Sequence, residues 1–373
     1  MTDSSTSLRS TVNEDGTVRL ALVEEPIAKP GPDEVVVAVE AAPINPSDLG
    51  LLFAGAAPSS LSSDGDSLVA RLGDGALHAN RSRLGQSLAA GNEGSGRVIA
   101  AGSSESAQAL LGKRVAALSG AMYATHSTVS TMMCIEMPES VSAAQAASSF
   151  VNPLTALGMT ETMRIEGHTA LVNTAAASNL GQMLQRVCLA DDIALVNVVR
   201  RGEQAELLRS QGAEWVVTSS ADSFRDDLTE ALAATGATIA FDAIGGGELA
   251  DTILGAMESA ASQDAAFSRY GSDTHKQVYI YGGLDRSATP LTRSYGMSWG
   301  VGGWLLSPFL SRIGLEGIVR LRDRVAAEIT TTFASHYAEA ITLEEMLNPE
   351  IARRYAVPAT GEKHLVANVT DIT

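Results

Sequence analysis

The chain has 373 residues, of which 45% are hydrophobic, and its formal net charge is -17. This length predicts two domains, and the composition is that of a globular protein able to bury a sizeable core. The strong acidity argues against nucleic acid or an anionic membrane surface as a partner.

The number of cysteines and the N-terminal sequence indicate the cellular compartment of the protein. Cys134 and Cys188 are the two cysteines of the chain, so a disulfide framework is not expected and a four-cysteine zinc site is excluded by count. The first ten residues are polar, and the sequence has no uncharged apolar run of 18 or more residues that predicts a membrane span. We therefore expect a cytoplasmic protein with no membrane segment.

Residues 1–150 are rich in short Val- and Ala-containing runs, which are typical of β-strands. A segment rich in Ser, Ala and Gly, residues 56–90, interrupts them, and we interpret it as an insertion with some helix. The predicted strands of this part are 18–23, 34–41, 97–101 and 113–118.

From residue 151 onward, helical patterns alternate with apolar strands, which predicts an α/β fold with a doubly wound parallel sheet. The predicted strands are 169–173, 193–199, 215–217, 238–242 and 277–281, and the predicted helices are 153–163, 180–190, 203–211, 223–234 and 247–260. Further helices are predicted at 315–327 and 342–352, and further strands at 329–334 and 364–369.

A turn of small residues, 174–181, lies between a predicted strand and a predicted helix. Small side chains let a backbone approach a pyrophosphate, and the helix start offers N–H groups and the positive end of its dipole. The alternative is a tight turn with Asn179 as the helix N-cap. The dinucleotide contacts predicted here are Ala176, Ser178, Asn179 and Leu180.

The end of the next predicted strand carries Arg200 and Arg201, where NAD-binding units carry a carboxylate for the ribose 2′-hydroxyl. Guanidinium groups suit a 2′-phosphate instead, so the pair predicts NADPH as the cofactor. The alternative is two solvated loop charges. The ends of two later predicted strands carry further predicted cofactor contacts, which are Asp242, Ile244, Gly282, Gly283 and Leu284. For Asp242, the alternative is a structural helix cap.

Several short motifs, in order, resemble the quinone-oxidoreductase and enoyl-reductase members of the medium-chain dehydrogenase/reductase superfamily. The motifs are 42–48, 91–98, 112–115, 152–157, 175–181, 212–214, 242–246 and 360–363. The resemblance implies a GroES-like β-rich catalytic domain of residues 1–151 and 326–373, a Rossmann domain of residues 152–325, and an active site in the cleft between them. It also implies a homodimer joined through the last Rossmann strand, near 276–281.

Two departures from the superfamily affect the expected chemistry. Zinc-dependent alcohol dehydrogenases place Cys and His where this chain has Asn45 and Asn92, and Glu93 alone cannot form a zinc site, so no metal is expected. Enoyl reductases carry a tyrosine proton donor shortly after the motif of residues 42–48, whereas this chain has Phe53 there.

The resemblance also implies roles for individual residues. Asn45 would hydrogen-bond the cofactor or a substrate oxygen, or else only close the turn before a proline. Asn152 and Thr155 would contact the nicotinamide, or else Asn152 would cap a helix. Tyr123 and Tyr295 are candidate proton donors by chemistry, each with a packed aromatic as the alternative, and water is a further source.

The apolar, glycine-rich segment 294–306 suits a pocket wall or lid, with a dimer interface or a core helix as the alternative. The predicted substrate-pocket residues are Phe53, Trp299 and Trp304. Together these features predict an NADPH-dependent reductase of a small carbonyl or quinone substrate. The alternatives are a zinc-dependent alcohol dehydrogenase and a non-catalytic NADPH-binding protein.

Overall fold

The computed structural model describes residues 4–263, 265–357 and 362–369. The chain divides into two compact units, and each is described by itself. Unit 1 comprises Met1–Val151 and Arg322–Thr373, and unit 2 comprises Asn152–Leu321. In the part of the chain described, no helix is both long and apolar enough to cross a membrane.

The secondary structure follows in chain order. The strands are β1 (Ser4–Val12), β2 (Thr17–Pro26), β3 (Glu34–Pro43), β4 (Ser62–Asp64), β5 (Ser67–Arg71), β6 (Ser87–Ala89), β7 (Glu93–Ala101), β8 (Arg114–Leu118), β9 (His126–Ser130), β10 (Cys134–Glu136), β11 (Leu171–Asn173), β12 (Leu195–Val199), β13 (Trp215–Thr218), β14 (Ile239–Asp242), β15 (Lys276–Ile280), β16 (Trp299–Gly303), β17 (His336–Ile341) and β18 (Glu362–Ala367). The helices are α1 (Pro46–Phe53), α2 (Asp74–Ala79), α3 (Glu105–Leu110), α4 (Ala143–Ala147), α5 (Val151–Ile165), α6 (Asn179–Ala190), α7 (Gly202–Ser210), α8 (Phe224–Thr235), α9 (Leu249–Ser262), α10 (Leu306–Glu328) and α11 (Pro349–Tyr355).

Unit 1 contains two sheets whose apolar side chains share one core. One sheet has the order β4-β5-β2-β1-β6, and the other has the order β10-β8-β7-β3-β18-β17, with β9 also paired to β3. Strand β3 is Val-rich and largely buried, since it pairs with β7 on one side and with β9 and then β18 on the other. The C-terminal strand therefore returns to the first half of the chain, which brings distant residues together.

Unit 2 is built on a parallel sheet with the order β13-β12-β11-β14-β15-β16. This is the strand order of the doubly wound dinucleotide-binding fold, in which ligands lie at the carboxyl ends of the strands. The apolar residues of α8 and α9 pack against one face of this sheet. The predicted fold class, a β-rich domain with a Rossmann domain, is confirmed.

Several sequence-based boundaries are corrected. The strand predicted at 329–334 is wrong, because this stretch is the turn that follows α10, and β17 begins only at His336. The helix predicted at 342–352 is interrupted before Pro349, because proline disfavours helical geometry in the residue before it, and α11 begins there with Asn348 as its N-cap. Helix α10 starts earlier than predicted and kinks at Gly314, which has a φ of 69°.

Two larger segments also differ from the prediction. Residues 56–90 contain some helix, as predicted, in α2, but they also contribute β4, β5 and β6 to the first sheet of unit 1, and these strands were not predicted. The strand predicted at 277–281, β15, is not the edge of the sheet in unit 2, because β16 pairs with it in parallel. The sequence missed β16 because three of its five residues are glycine, which is rare in strands.

Candidate functional site

The turn after β11 is shaped by small residues at fixed positions. Ala175 has a φ of 49°, a left-handed conformation that is uncommon for a residue with a Cβ. A Cβ on Gly181 would overlap the carbonyl oxygen of Ala176, so the start of α6 packs directly on the turn and position 181 requires glycine. The Ser178 hydroxyl caps the helix by accepting the N–H of Gly181 at 3.1 Å.

The N-cap of α6 is Ser178, and not Asn179 as the tight-turn alternative supposed. The Asn179 side chain instead accepts a hydrogen bond from the Asn152 amide at 3.0 Å. Asn152 does not cap α5, because that helix begins at Val151. The structure therefore brings together two of the predicted cofactor residues at the start of α6, while Thr155 lies one turn further along α5 and is also buried.

The first turn of α6 offers a backbone donor. The N–H of Leu180 has no acceptor within the residues that the structure describes, as is usual for the first turn of a helix. The dipole of this 12-residue helix places partial positive charge at the same end. The start of α6 can therefore bind an anion such as a pyrophosphate.

The arginine pair lies where β12 ends and α7 begins. The backbone N–H groups of Arg200 and Arg201 both donate to the Gln204 side-chain oxygen at 3.1 Å, which fixes the backbone of the pair. The Arg201 guanidinium is 3.9 Å from the exposed Glu203 carboxylate. The Arg200 guanidinium has no acidic partner within the described chain, so it is free to bind an added phosphate.

Asp242, at the end of β14, is completely buried. Its carboxylate accepts the Thr174 hydroxyl at 2.7 Å and the N–H groups of Ile244 and Gly245 at 3.0 and 3.1 Å. These bonds close the loop after β14 and tie it to the turn after β11. The geometry favours the structural alternative for Asp242, and its contact with a cofactor stays a prediction.

The loops after β14 and β15 lie side by side. Leu284 donates its N–H to the carbonyl of Ala243 at 3.2 Å, and Asp285 donates to the carbonyl of Ile244 at 2.9 Å. A Cβ on Gly282 would press on the Ala243 carbonyl, so this close approach requires glycine. The predicted contacts on these two loops are thus neighbours at the carboxyl end of the sheet, where this fold binds its ligands.

In unit 1, the turn before α1 is organised by Asp48. Its two carboxylate oxygens accept the backbone N–H groups of Asn45 at 2.8 Å and Asn92 at 2.9 Å. Burial raises the pKa of Asp48 to about 6, although both N–H groups favour the ionised form. Asp48 therefore holds the two segments that carry Asn45 and Asn92 together.

The side chain of Asn45 lies between two buried charged groups. Its amide nitrogen donates to the Glu93 carboxylate at 2.9 Å, and its oxygen accepts the ammonium of Lys363 at 2.8 Å. Lys363 also donates to the Ser148 hydroxyl at 3.2 Å. Burial lowers the pKa of Lys363 to about 8, while Glu93 and Asp48 oppose this shift.

Lys363 belongs to the motif 360–363, but its residue type and position in the sequence predicted no role for it. Residues 360 and 361 of that motif lie outside the described residues. A lysine at the start of a strand is usually solvated, and the sequence contains no local signal that β18 carries this one into the core. Only the pairing of β18 with β3 shows its position.

The two candidate tyrosines are packed aromatics. Tyr123 is completely buried, and its hydroxyl donates to the Pro43 carbonyl at 3.1 Å. Burial and the nearby Asp48 raise its pKa well above the usual range. Tyr295 is also buried, with its ring edge-on to Trp299 at 5.0 Å. Neither environment favours proton donation, so the role of Tyr123 in catalysis stays a prediction that this geometry does not favour.

The predicted pocket residues lie in different places. Phe53 belongs to the core of unit 1 and stacks on Tyr355 at 5.7 Å, which does not fit a pocket wall. In unit 2, the Trp304 indole donates to the Thr162 hydroxyl at 3.0 Å. It lines a cavity of about 370 Å³ beside the end of β16. Trp299 packs on Tyr295 on the opposite face of the sheet from this cavity.

The polar groups around Asn45 form hydrogen bonds with one another. The Glu93 carboxylate accepts the Asn45 amide, and it also accepts the backbone N–H groups of Phe150 at 2.7 Å and Val151 at 3.0 Å. Asn92 donates to the Ser47 hydroxyl at 3.0 Å. Within the described ranges, no three His, Cys, Asp or Glu side chains come together as a group that could hold a metal ion.

No protein-family model and no curated protein matches the chain. Solved structures do match the chain. A proposed NADPH:quinone reductase from Mesorhizobium loti is 24% identical, with a TM-score of 0.75 over 98% of this chain and 99% of that one. Other matches are named as a quinone oxidoreductase from Pseudomonas syringae and as an enoyl reductase.

Two matching structures were solved with a nicotinamide cofactor. A mycobacterial protein in complex with NADPH is 17% identical, with a TM-score of 0.66 over 97% of this chain and 99% of that one. A protein from E. coli CFT073 named as a short chain alcohol dehydrogenase, in complex with NADH, is 15% identical, with a TM-score of 0.67 over 98% and 99%. At these identities the likeness establishes the fold. The chain therefore has the fold of the medium-chain dehydrogenase/reductase quinone and enoyl reductases, as its motifs indicated.

Proposed function

We propose that this protein is an NADPH-dependent reductase that transfers hydride to quinones or α,β-unsaturated carbonyl compounds. The observation that carries the proposal is the Arg200–Arg201 pair at the end of β12, in the unit that also presents the start of α6. The quinone-reductase and NADPH-bound structures that share this fold support it.

The residues of unit 2 account for each part of the cofactor. The N–H of Leu180 and the dipole of α6 would bind the pyrophosphate, with the backbone brought close by Gly181. Arg200, with Arg201 beside it, would bind the 2′-phosphate, because a guanidinium matches the geometry of a phosphate. Asn152 and the glycines at 282 and 283 would contact the nicotinamide end, as the resemblance implies.

When bound, NADPH supplies the hydride. The acceptor then gains a hydride and a proton, so a quinone becomes a hydroquinone and an enone becomes a saturated ketone. Because the Tyr123 hydroxyl is buried and already donates to Pro43, we infer that the proton comes from water.

We also propose that the protein forms a homodimer and acts in the cytoplasm. Strand β16 pairs with β15 alone among the described strands, so its outer edge is open for pairing with a second copy. The two cysteines are free thiols in the structure, which suits a reducing compartment.

The experiment is a comparison of NADPH and NADH in the purified wild-type protein and the variant Arg200→Ala/Arg201→Ala. We expect the Kd for NADPH to rise about 100-fold, because each charge-assisted hydrogen bond contributes about 1.5–3 kcal/mol. The Kd for NADH should not change. Arg19→Ala, which removes an exposed arginine of unit 1, is the matched control.

Turnover is measured as NADPH oxidation with a panel of quinones and enones. No NADPH binding by the wild-type protein, or equal losses for NADPH and NADH in the double variant, would contradict the cofactor assignment. Binding without oxidation of NADPH by any acceptor would instead support a non-catalytic NADPH-binding protein. That alternative is favoured by the burial of Tyr123 and Phe53.

A further inference from the structure

The turn between β12 and α7 holds the backbone of the arginine pair from two sides. The side-chain oxygen of Gln204 accepts the N–H groups of Arg200 and Arg201, each at 3.1 Å. The Ser220 hydroxyl donates to the carbonyl of Arg200 at 2.6 Å. The backbone N–H groups of the pair are therefore already used within the protein, and the guanidinium groups are left as the groups that can bind an anion.

The arginine pair is unfavourable for the stability of α7. Arg201 is the N-cap of this helix, but a guanidinium has no acceptor atom, so its side chain cannot cap a backbone N–H. Two positive side chains also lie at the helix end that carries partial positive charge. Glu203 offsets only part of this charge, because its side chain is 87% exposed and its carboxylate is 3.9 Å from Arg201. Stability alone therefore does not explain the pair, whereas the binding of an anion does.

Gln204 occupies the third position of α7, where a carboxylate would favour the helix more than an amide does. In a capping box the side chain at this position accepts the N–H of the N-cap residue, and both Gln and Glu can do so. A glutamate would add a charge-assisted hydrogen bond and a favourable interaction with the helix dipole. Since the two side chains have nearly the same shape, they differ at this position mainly in charge.

We propose that Gln204 is a specificity-determining residue of the cofactor site, because it fixes the arginine pair without placing a negative charge beside it. It rests on the proposed function, whose cofactor preference it assigns to one more residue. The Arg200 guanidinium has no acidic partner within the described chain, so its charge is kept for a 2′-phosphate, which carries about two negative charges near neutral pH. Because NADH has a neutral 2′-hydroxyl there, the charge at position 204 discriminates between the two cofactors.

A glutamate at position 204 would change the electrostatics of the turn and keep its shape. One carboxylate oxygen would take the place of the amide oxygen that lies 3.1 Å from the backbone nitrogens of Arg200 and Arg201. From there the carboxylate would offset part of the positive charge of the pair and repel a phosphate bound by it. The effect should weaken as salt is added, because both arginines are exposed and dissolved ions screen charges at a protein surface.

The test is to measure the Kd values for NADPH and NADH in the wild type and in Gln204→Glu by fluorescence titration. At about 0.01 M salt we expect the Kd for NADPH to be about 10-fold higher in the variant, and at about 1 M salt this ratio should approach one, since the Debye length falls from about 30 Å to about 3 Å. The Kd for NADH should stay within about 2-fold. In urea the variant should be at least as stable as the wild type, because a carboxylate is favourable at this helix position.

Gln263→Glu is the matched control, because it adds the same charge at an exposed glutamine of unit 2. Gln263 directly follows α9, which leads back to the start of β15, whereas the arginine pair follows the end of β12, so the two positions lie at opposite ends of the parallel sheet. The control should bind NADPH as the wild type does. An unchanged Kd for NADPH in Gln204→Glu, equal losses for NADPH and NADH, or a loss accompanied by lower stability would overturn the proposal.

Failure of the proposed function gives different results. If the wild type binds NADPH but reduces no acceptor, the reductase function fails, while the role of Gln204 is decided by the Kd values alone. If the wild type does not bind NADPH, or binds NADH as tightly, the cofactor assignment fails and the role of Gln204 fails with it. If the wild type prefers NADPH and Gln204→Glu keeps the same preference, only the role of Gln204 is overturned.

Discussion

The turn 174–181 of unit 2 and the buried polar cluster of unit 1, formed by Asn45, Asp48, Glu93 and Lys363, are built in opposite ways. In the turn, Ser178 caps α6 through a residue three positions away, and Gly181 contacts Ala176. In the cluster, Asn45 contacts residues 48 and 318 positions away in the sequence. A site built from contacts between sequence neighbours can be recognised in the sequence. A site built from residues far apart in the sequence depends on which strands pair.

The two regions also differ in the forces that shape them. The turn depends on neutral close packing of small residues, so its weak point is steric. The cluster depends on buried charges, with Asp48, Glu93 and Lys363 all removed from water. Its weak point is electrostatic, and its stability responds to pH.

Gly181→Ala tests the steric side of the contrast. The new Cβ would overlap the Ala176 carbonyl, so we expect the free energy of unfolding to fall by about 3 kcal/mol, the upper range for overpacking. NADPH binding should be lost with it. Chemical denaturation and fluorescence titration measure the two effects. Gly202→Ala is the control, because a Cβ there meets no atom within 4 Å. Equal stability of the two variants would contradict the steric account.

Asp48 tests the electrostatic side. Its pKa is raised from 3.8 to about 6 by burial, so the folded state holds a proton that the unfolded state has released between these values. Stability should therefore fall as the pH rises through this window, by about 3 kcal/mol in all, since one unit of pKa is worth about 1.4 kcal/mol.

The measurement is the free energy of unfolding at pH values from 4 to 7 in the wild type and in Asp48→Asn. The wild type should lose stability relative to the variant up to about pH 6, and the difference should then level off. Asp66→Asn, at an exposed aspartate, controls for the loss of one charge. A difference that does not change with pH would contradict the burial of an ionisable Asp48.

Ser178→Ala tests the N-cap at the turn of unit 2, and its expected effect on the free energy of unfolding is the smallest. Loss of the N-cap should lower the free energy of unfolding by about 1 kcal/mol and weaken NADPH binding several-fold. Ser104→Ala removes the matching cap of α3, where the hydroxyl accepts the N–H of Ala107 at 3.2 Å. It should cost about as much stability without changing NADPH binding. Weakened NADPH binding in both variants would show that the effect of Ser178 is not local.

The fold of unit 2 was largely predictable from the sequence, and the failures in both units are informative. Alternating apolar strands and helices predicted the parallel sheet, but β16 was missed because Trp299 is followed by glycines that carry no strand signal. The helix predicted across 342–352 failed at Pro349, a residue that signals an interruption. The strand predicted at 329–334 failed because Ile329 and Phe333 are buried in the turn that follows α10, and two buried apolar residues do not by themselves define a strand.

The sequence sufficed to locate the small-residue turn 174–181 and the arginine pair at the end of β12, and to indicate the superfamily whose fold the chain adopts. These features depend on contacts between near neighbours in the chain, which the residue types specify. Only the tertiary structure decided that Asp242 closes a loop, that Tyr123 and Phe53 are core residues, and that Lys363 reaches Asn45. The reason is that Asp242 meets Thr174 only when β14 pairs with β11, and Lys363 meets Asn45 only when β18 pairs with β3, pairings that no local pattern encodes.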